Sequence, residues 1–283
     1  MKNYLSISFI SISLLTIVFA GCKKTETYDA IPEQDNAMAE NESNRVIQAV
    51  NSTATGYGFT GSNGGVRDAE GFLPSCATVT VDTTDSQRTI TIDFGSTPCL
   101  CDTWDGRYRQ GKIIATWTGA YRDSGTVITI VTQDYYQGIS ATEMNGFAYS
   151  KTVTNMGHNG NGNLHYAINV SSAVITLYNN GGTITWTSQR DREWIGGETT
   201  LLPFDDVYSI TGSASGTDQD GLQFTVNITN PLIAKVSCPW ITQGTLEITH
   251  GSNPTATLDY GDGTCDDQAT VTVNGTTTTI TLW

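Results

Sequence analysis

The sequence predicts an all-β chain: an antiparallel meander of about a dozen strands, folded as a β-sandwich or a soluble barrel-like sheet. Three observations carry that prediction. From Cys76 onward, apolar and polar residues alternate with period two in short segments. Pairs such as Asn-Gly, Asp-Gly and Ser-Gly punctuate those segments at hairpin spacing. The polar positions are rich in threonine, a β-branched residue suited to the exposed side of a pleated sheet.

Residues 1–21 read as an export leader. Lys2 supplies the positive start, Leu5 to Phe19 the apolar run, and Ala20-Gly21 the small residues before a cleavage point. Cys22 follows directly. A cysteine in that place is the acceptor of a diacylglycerol in a bacterial lipoprotein signal, although Phe19 is bulkier than the residue usual three places before it. The apolar run is short for a membrane span and is interrupted by Ser6, Ser8, Ser11, Ser13 and Thr16. Residues 22–55 are polar and read as a lipidated cysteine followed by a tether. Within it, Asn36 to Val50 carries a sparse apolar stripe (Met38, Val46, Ile47, Val50) compatible with a short helix. Residues 56–283 form one β domain, opening with a glycine-rich loop over 56–71.

The strands then follow in order. CATVTVD and RTITIDF form the first pair. In KIIATWTGAYR, Ile113, Ala115, Trp117, Gly119 and Tyr121 share one face. The turn Asp123-Ser124-Gly125 leads into TVITIVTQDYY. Asn179 to Gly182 separates the strand around VITLY from TITWTSQRDREW. GLQFTVNIT places Leu222, Phe224, Val226 and Ile228 on one face. TLEIT, TATLDY, ATVTV and TTTITLW complete the set. The short links imply antiparallel neighbours. A terminal aromatic, Trp283, is also a mark of outer-membrane barrels. Here it lies in phase with Thr279 and Thr281 and out of phase with Ile280 and Leu282, which disfavours a lipid-facing strand.

The chain has 283 residues and a formal net charge of −14. Such acidity excludes nucleic acid as a natural partner, because phosphates are repelled. It also assigns membrane attachment to acyl chains rather than to a basic surface. Six cysteines are present. With Cys22 committed to lipid, Cys76, Cys99, Cys101, Cys238 and Cys265 remain in a disulfide-permissive compartment, and their odd number leaves one free or paired between chains. Cys238 with Cys265, and Cys76 with either Cys99 or Cys101, are the expected pairs.

No catalytic motif is recognisable, and no metal or cofactor site is expected. His158, His165 and His250 stand outside any ligand or nucleophile pattern. Asp105-Gly106, Asp220-Gly221 and Asp262-Gly263 read as turns rather than calcium loops. Arg107, Arg109 and Lys112 cluster around a turn, where nearby carboxylates would pair them. The most suggestive stretch is TITWTSQRDREW. It puts Trp186, Arg190, Arg192 and Trp194 on one strand face, with Asp191 and Glu193 on the other. Exposed, such a face would stack on sugar rings and bond their hydroxyls; otherwise it is a cation–π ladder. A carboxylate pair for glycan hydrolysis is the weakest reading, since such pairs are defined in space and not in sequence.

Several segments resemble a group of lipoproteins from Bacteroidota-type Gram-negative bacteria. They are TITIDFGSTPCLCDTWDGRYRQGKI, GTVITIVTQDYY, ITWTSQRDREWIGG, YSITGSASG, PLIAKVSCPWITQGTLEIT and ATLDYGDGTCDDQATV. The resemblance covers nearly all of 76–283. It implies export, lipidation and a β-rich domain, and it carries no activity or ligand residues. The expectation is a non-enzymatic protein lipid-anchored at the outer membrane, with membrane contact through its acyl chains and a cell-envelope glycan or protein as partner. Lys23 after Cys22, in place of Asp, is compatible with outer-membrane sorting.

Overall fold

The computed structural model describes residues 28–57, 73, 75–83, 87–102, 105–200 and 203–283. Cys22 and the leader lie outside the described residues. One helix, α1 (Ile31–Gly56), precedes fourteen strands. These are β1 (Thr78–Asp82), β2 (Arg88–Asp93), β3 (Cys99–Cys101), β4 (Arg107–Trp117), β5 (Val127–Gly138), β6 (Met144–His158) and β7 (Leu164–Thr176), then β8 (Thr183–Gly196), β9 (Val207–Thr217), β10 (Gln223–Lys235), β11 (Ile241–His250), β12 (Ala256–Asp262), β13 (Gln268–Val273) and β14 (Thr276–Thr281).

All strands join one antiparallel sheet, each beside its sequence neighbour except β3, which shares an edge of β4 with β2. A single curled sheet therefore forms, rather than two stacked ones. No pairing joins β1 to β14. The curl is nonetheless nearly complete: the ring of Trp283, just past β14, lies 5.4 Å from that of Phe147 on β6 and 4.4 Å from the Arg107 guanidinium on β4.

The alternation read from sequence becomes an inner and an outer face. Ile113, Ala115 and Trp117 point inward and are buried. On β8, Thr183, Thr185, Thr187, Gln189 and Asp191 are exposed outward, where a lipid-facing strand needs an apolar band. Trp283 turns inward although its parity matches the exposed Thr279 and Thr281, because β14 ends at Thr281 and the alternation stops with it. Local chemistry sets the turns and bends. Asn274 and Gly275 take the left-handed conformation between β13 and β14, as a two-residue hairpin requires. Pro231, which has no N–H to give, sits where β10 breaks register with both neighbours. Gly212 has φ +120°, and a Cβ there would meet the Gln189 carbonyl.

The segment read as a tether up to residue 55 is, from Ile31, helix α1, lying inside the curled sheet. It spans Ile31–Gly56, well beyond the expected 36–50. Pro32 sits in its first turn, where no N–H is needed, and Glu33 complements the helix dipole there. An unbroken buried run from Asn44 to Val50 covers about two turns, so every side of the helix is enclosed. Its side chains reach β6, β8 and β11, and its Arg45 donates to the Trp283 carbonyl at 2.9 Å.

Two disulfides tie the ends of the sheet: Cys238–Cys265 and Cys76–Cys99. Among the described residues, Cys101 is the free cysteine, and it is buried. Both β3 cysteines face inward, but the Cys101 thiol lies against Arg109.

Candidate functional site

The inner face is where the chain's chemistry collects. Buried polar groups need partners, and α1 and the sheet supply them to each other. The helix brings Glu33, Asp35, Glu40, Glu42 and Arg45; the sheet wall brings Arg107, Arg109, Lys151, Arg190 and Arg192, all buried. An acidic helix thus sits in a basic wall, although the chain as a whole is strongly acidic.

From the start of α1, the contacts run as follows. Glu33 accepts from the Tyr28 hydroxyl at 2.8 Å. Asp35 accepts from the Gln219 backbone N–H at 2.8 Å, beside Asp218 and Asp220. Burial, helped by those neighbouring carboxylates, pushes Asp35 up to about 7. The Trp186 indole N–H donates to Asn36 at 3.0 Å, and Arg190 pairs with Glu40 at 2.6 Å. Asn41 accepts from the Ile241 N–H at 3.1 Å. Lys151 donates to the Ser43 carbonyl and hydroxyl at 2.8 and 2.9 Å. Burial brings Lys151 down to about 7.

Beside Lys151, Arg109 makes a two-pronged contact to Asp105, and Arg45 and Arg107 flank Trp283. Burial alone would raise the Asp105 carboxyl, but Arg109, Arg45 and Arg107 outweigh it and hold Asp105 below its ordinary value. Glu42 fares differently: burial raises it despite Arg45 at 3.8 Å, and neither of its oxygens accepts a hydrogen bond.

The four residues singled out on β8 do share a face, but that face is inside. Trp186, Arg190, Arg192 and Trp194 are each 5% exposed or less. The expectation of an exposed sugar-binding face is corrected on this point: α1 occupies the space that a sugar would need. Trp186 and Arg190 are fixed to Asn36 and Glu40. Trp194 packs on Tyr208 at 5.4 Å and under the Arg122 guanidinium at 4.7 Å. Arg192 lies 3.8 Å over the Tyr208 ring, and none of its three guanidinium nitrogens has a hydrogen-bond partner. It borders a cavity with Trp194, Asp206 and one face of α1.

On the outside, His165 pairs with Asp191 at 2.8 Å and His158 with Glu198 at 2.9 Å. Glu193 accepts from the side chains of Asn159 and Asn163 at 2.7 and 2.8 Å, and these bonds hold its carboxyl below its ordinary value. The loop from Asn159 to Asn163 is thus folded around one carboxylate. Asp218 accepts from the N–H groups of Asp220 and Leu222, as a turn-forming aspartate does. Among the described residues, no three His, Cys, Asp or Glu side chains gather as a metal site.

Sequence reasoning missed the buried acids of α1, the Glu40–Arg190 pair and the bonds from Lys151 to Ser43. A signal was present: residues 33–55 contain no glycine or proline, and the polar strand positions include arginines in phase with tryptophans.

The fold and this inner face define a class: an unclosed antiparallel β-barrel plugged by its own N-terminal helix. No family model, curated protein or solved structure matches the chain.

Proposed function

We propose that this chain is an exported cell-envelope protein, lipid-anchored at the outer membrane through Cys22, with a non-catalytic structural or binding role. The observation that carries the anchor is the order of Lys2, the apolar run Leu5 to Phe19, Ala20-Gly21 and then Cys22. The Cys76–Cys99 and Cys238–Cys265 disulfides agree with an oxidising compartment. No described helix is long and apolar enough to cross a membrane, so an acyl anchor supplies an attachment that this helix cannot. The partner remains a component of the envelope, and the enclosed Trp/Arg face no longer favours a glycan.

Metabolic labelling with a palmitate analogue tests the anchor. The parent chain incorporates label and fractionates with outer membranes, while Cys22→Ala does neither. Equal labelling of both chains overturns the proposal.

A further inference from the structure

We propose that the end of the barrel at which α1 begins is a membrane-contact surface, where Ile139, Tyr178 and Leu222 enter the interfacial layer of a lipid bilayer. The inference rests on the proposed anchorage at Cys22 and adds to it a protein surface that meets the lipid.

An antiparallel meander places alternate hairpins at opposite ends. The β5–β6, β7–β8 and β9–β10 turns share one end, and each carries an outward apolar side chain: Ile139 is 63% exposed, Tyr178 47% and Leu222 53%. These turns gather round the first turns of α1. The Gln219 N–H donates to Asp35 at 2.8 Å. The Asn145 side chain accepts from the Tyr178 N–H at 3.0 Å and reaches the Met38 sulfur at 3.6 Å. Gly182 abuts the Gln219 carbonyl so closely that a Cβ there would lie 2.7 Å from it. The three tips are therefore fixed to one another and to the helix. Behind them, Tyr136 and Val174 continue the apolar surface down the outer wall, each within three residues of the end of its strand. A rigid apolar patch of this kind marks a contact surface.

The chain itself selects the occupant. Eight residues separate Cys22 from Ile31, so the acyl chains enter the bilayer close to this end. The turns over 139–143, 177–182 and 218–222 contain no Lys or Arg, while Glu143 and Asp220 are exposed on them. The contact is thus apolar rather than electrostatic, and it favours zwitterionic over anionic headgroups. Tyr178 suits the headgroup level, with its apolar ring and polar tip, and Ile139 and Leu222 leave water for the acyl boundary. Three side chains alone bury little area, so they act together with the lipid anchor.

The test uses the full chain, purified from membranes and reconstituted into phosphatidylethanolamine–phosphatidylcholine vesicles. The vesicles contain a phospholipid with a diazirine on its acyl chain, and after illumination the lipid-bearing peptides are mapped by mass spectrometry. The expected adducts fall on the three turns and persist in about 1 M salt, which screens charge contacts. Ile139→Ser, Tyr178→Ser and Leu222→Ser each lower the adducts on their own turn, and combined they lower the total at least about fivefold. Met156→Ser, Ile195→Ser and Phe204→Ser combined, at the opposite end, leave it unchanged. All six positions are exposed, so the unfolding midpoint of each variant stays near that of the parent. Absence of adducts on the turns, equal adducts at both ends, loss in salt, or an undiminished yield in the first set of variants overturns the proposal. The palmitate label at Cys22 is read on the same sample. Labelled protein without adducts on the turns sinks this proposal alone, and adducts on unlabelled protein sink the anchor alone.

Discussion

Glu40 and Arg190 form a closely matched buried pair between helix and sheet, and removing one partner leaves the other charged and dry. Glu40→Ala is expected to lower unfolding free energy by about 3–5 kcal/mol in urea titrations, whereas Glu40→Leu combined with Arg190→Met costs much less than two separate losses. Asp35 and Lys151 make stability depend on pH in opposite directions. Asp35 ionises at about 7 in the folded chain against an ordinary 3.8. The folded chain therefore holds a proton that the unfolded chain releases first, and stability falls as pH rises through that window. Lys151 loses its proton at about 7 against an ordinary 10.5. Here the unfolded chain binds the extra proton, so stability recovers as pH climbs from about 7 toward 10.5. Asp35→Asn should flatten the acid limb of the pH–stability curve and gain about 1–2 kcal/mol above pH 7, a figure reduced for the partly wetted helix start. Lys151→Met should flatten the alkaline limb. Unchanged limbs in denaturant melts across pH would contradict both assignments.

At the level of elements, α1 distinguishes this sheet from an ordinary meander. Hydrogen exchange checks it directly: amides from Asn44 to Val50 should be protected to the same degree as those of β8, because the helix is enclosed on every side. A tether would exchange at once. The Cys238–Cys265 bond closes a separation of 27 residues, and replacing both with serine should cost about 3 kcal/mol. In a Cys22→Ala background, one thiol, that of Cys101, should react with an alkylating reagent, and only after denaturation. The strands were legible in the sequence because each carries its own signal; Ile113, Ala115 and Trp117 alternate regardless of what covers them. The Cys238–Cys265 bond matches the expected pair, but sequence alone does not fix connectivity, since five cysteines allow many pairings. Helix α1 was legible only in part. A buried helix normally announces itself by an apolar stripe, and this one replaces much of that stripe with Glu40, Asn41 and Glu42. The partners of two of them, Arg190 for Glu40 and the Ile241 N–H for Asn41, lie more than a hundred positions away. The same gap hid the fate of the Trp/Arg face: parity put the four residues together, but nothing local said that a helix would cover them.

For the whole molecule, the unclosed barrel and its internal helix make one body, and the proposed anchor site, Cys22, precedes the first turn of that helix in sequence. Its 26 residues extend over about 39 Å at the usual rise. Eight residues separate Cys22 from Ile31, so the nine Cα–Cα steps give a reach of about 30 Å at full extension. With Cys22 acylated, that short leash sets a compass bearing for the molecule. The pole at Asp35, Gln219 and His250 would then be held near the bilayer, and the far end of α1, at Tyr57, would be carried outward into the surrounding compartment. A fluorophore placed at Asp220 should then be quenched by labelled lipid headgroups more strongly than one placed at Asn51, and the reverse order would show that the molecule lies the other way up.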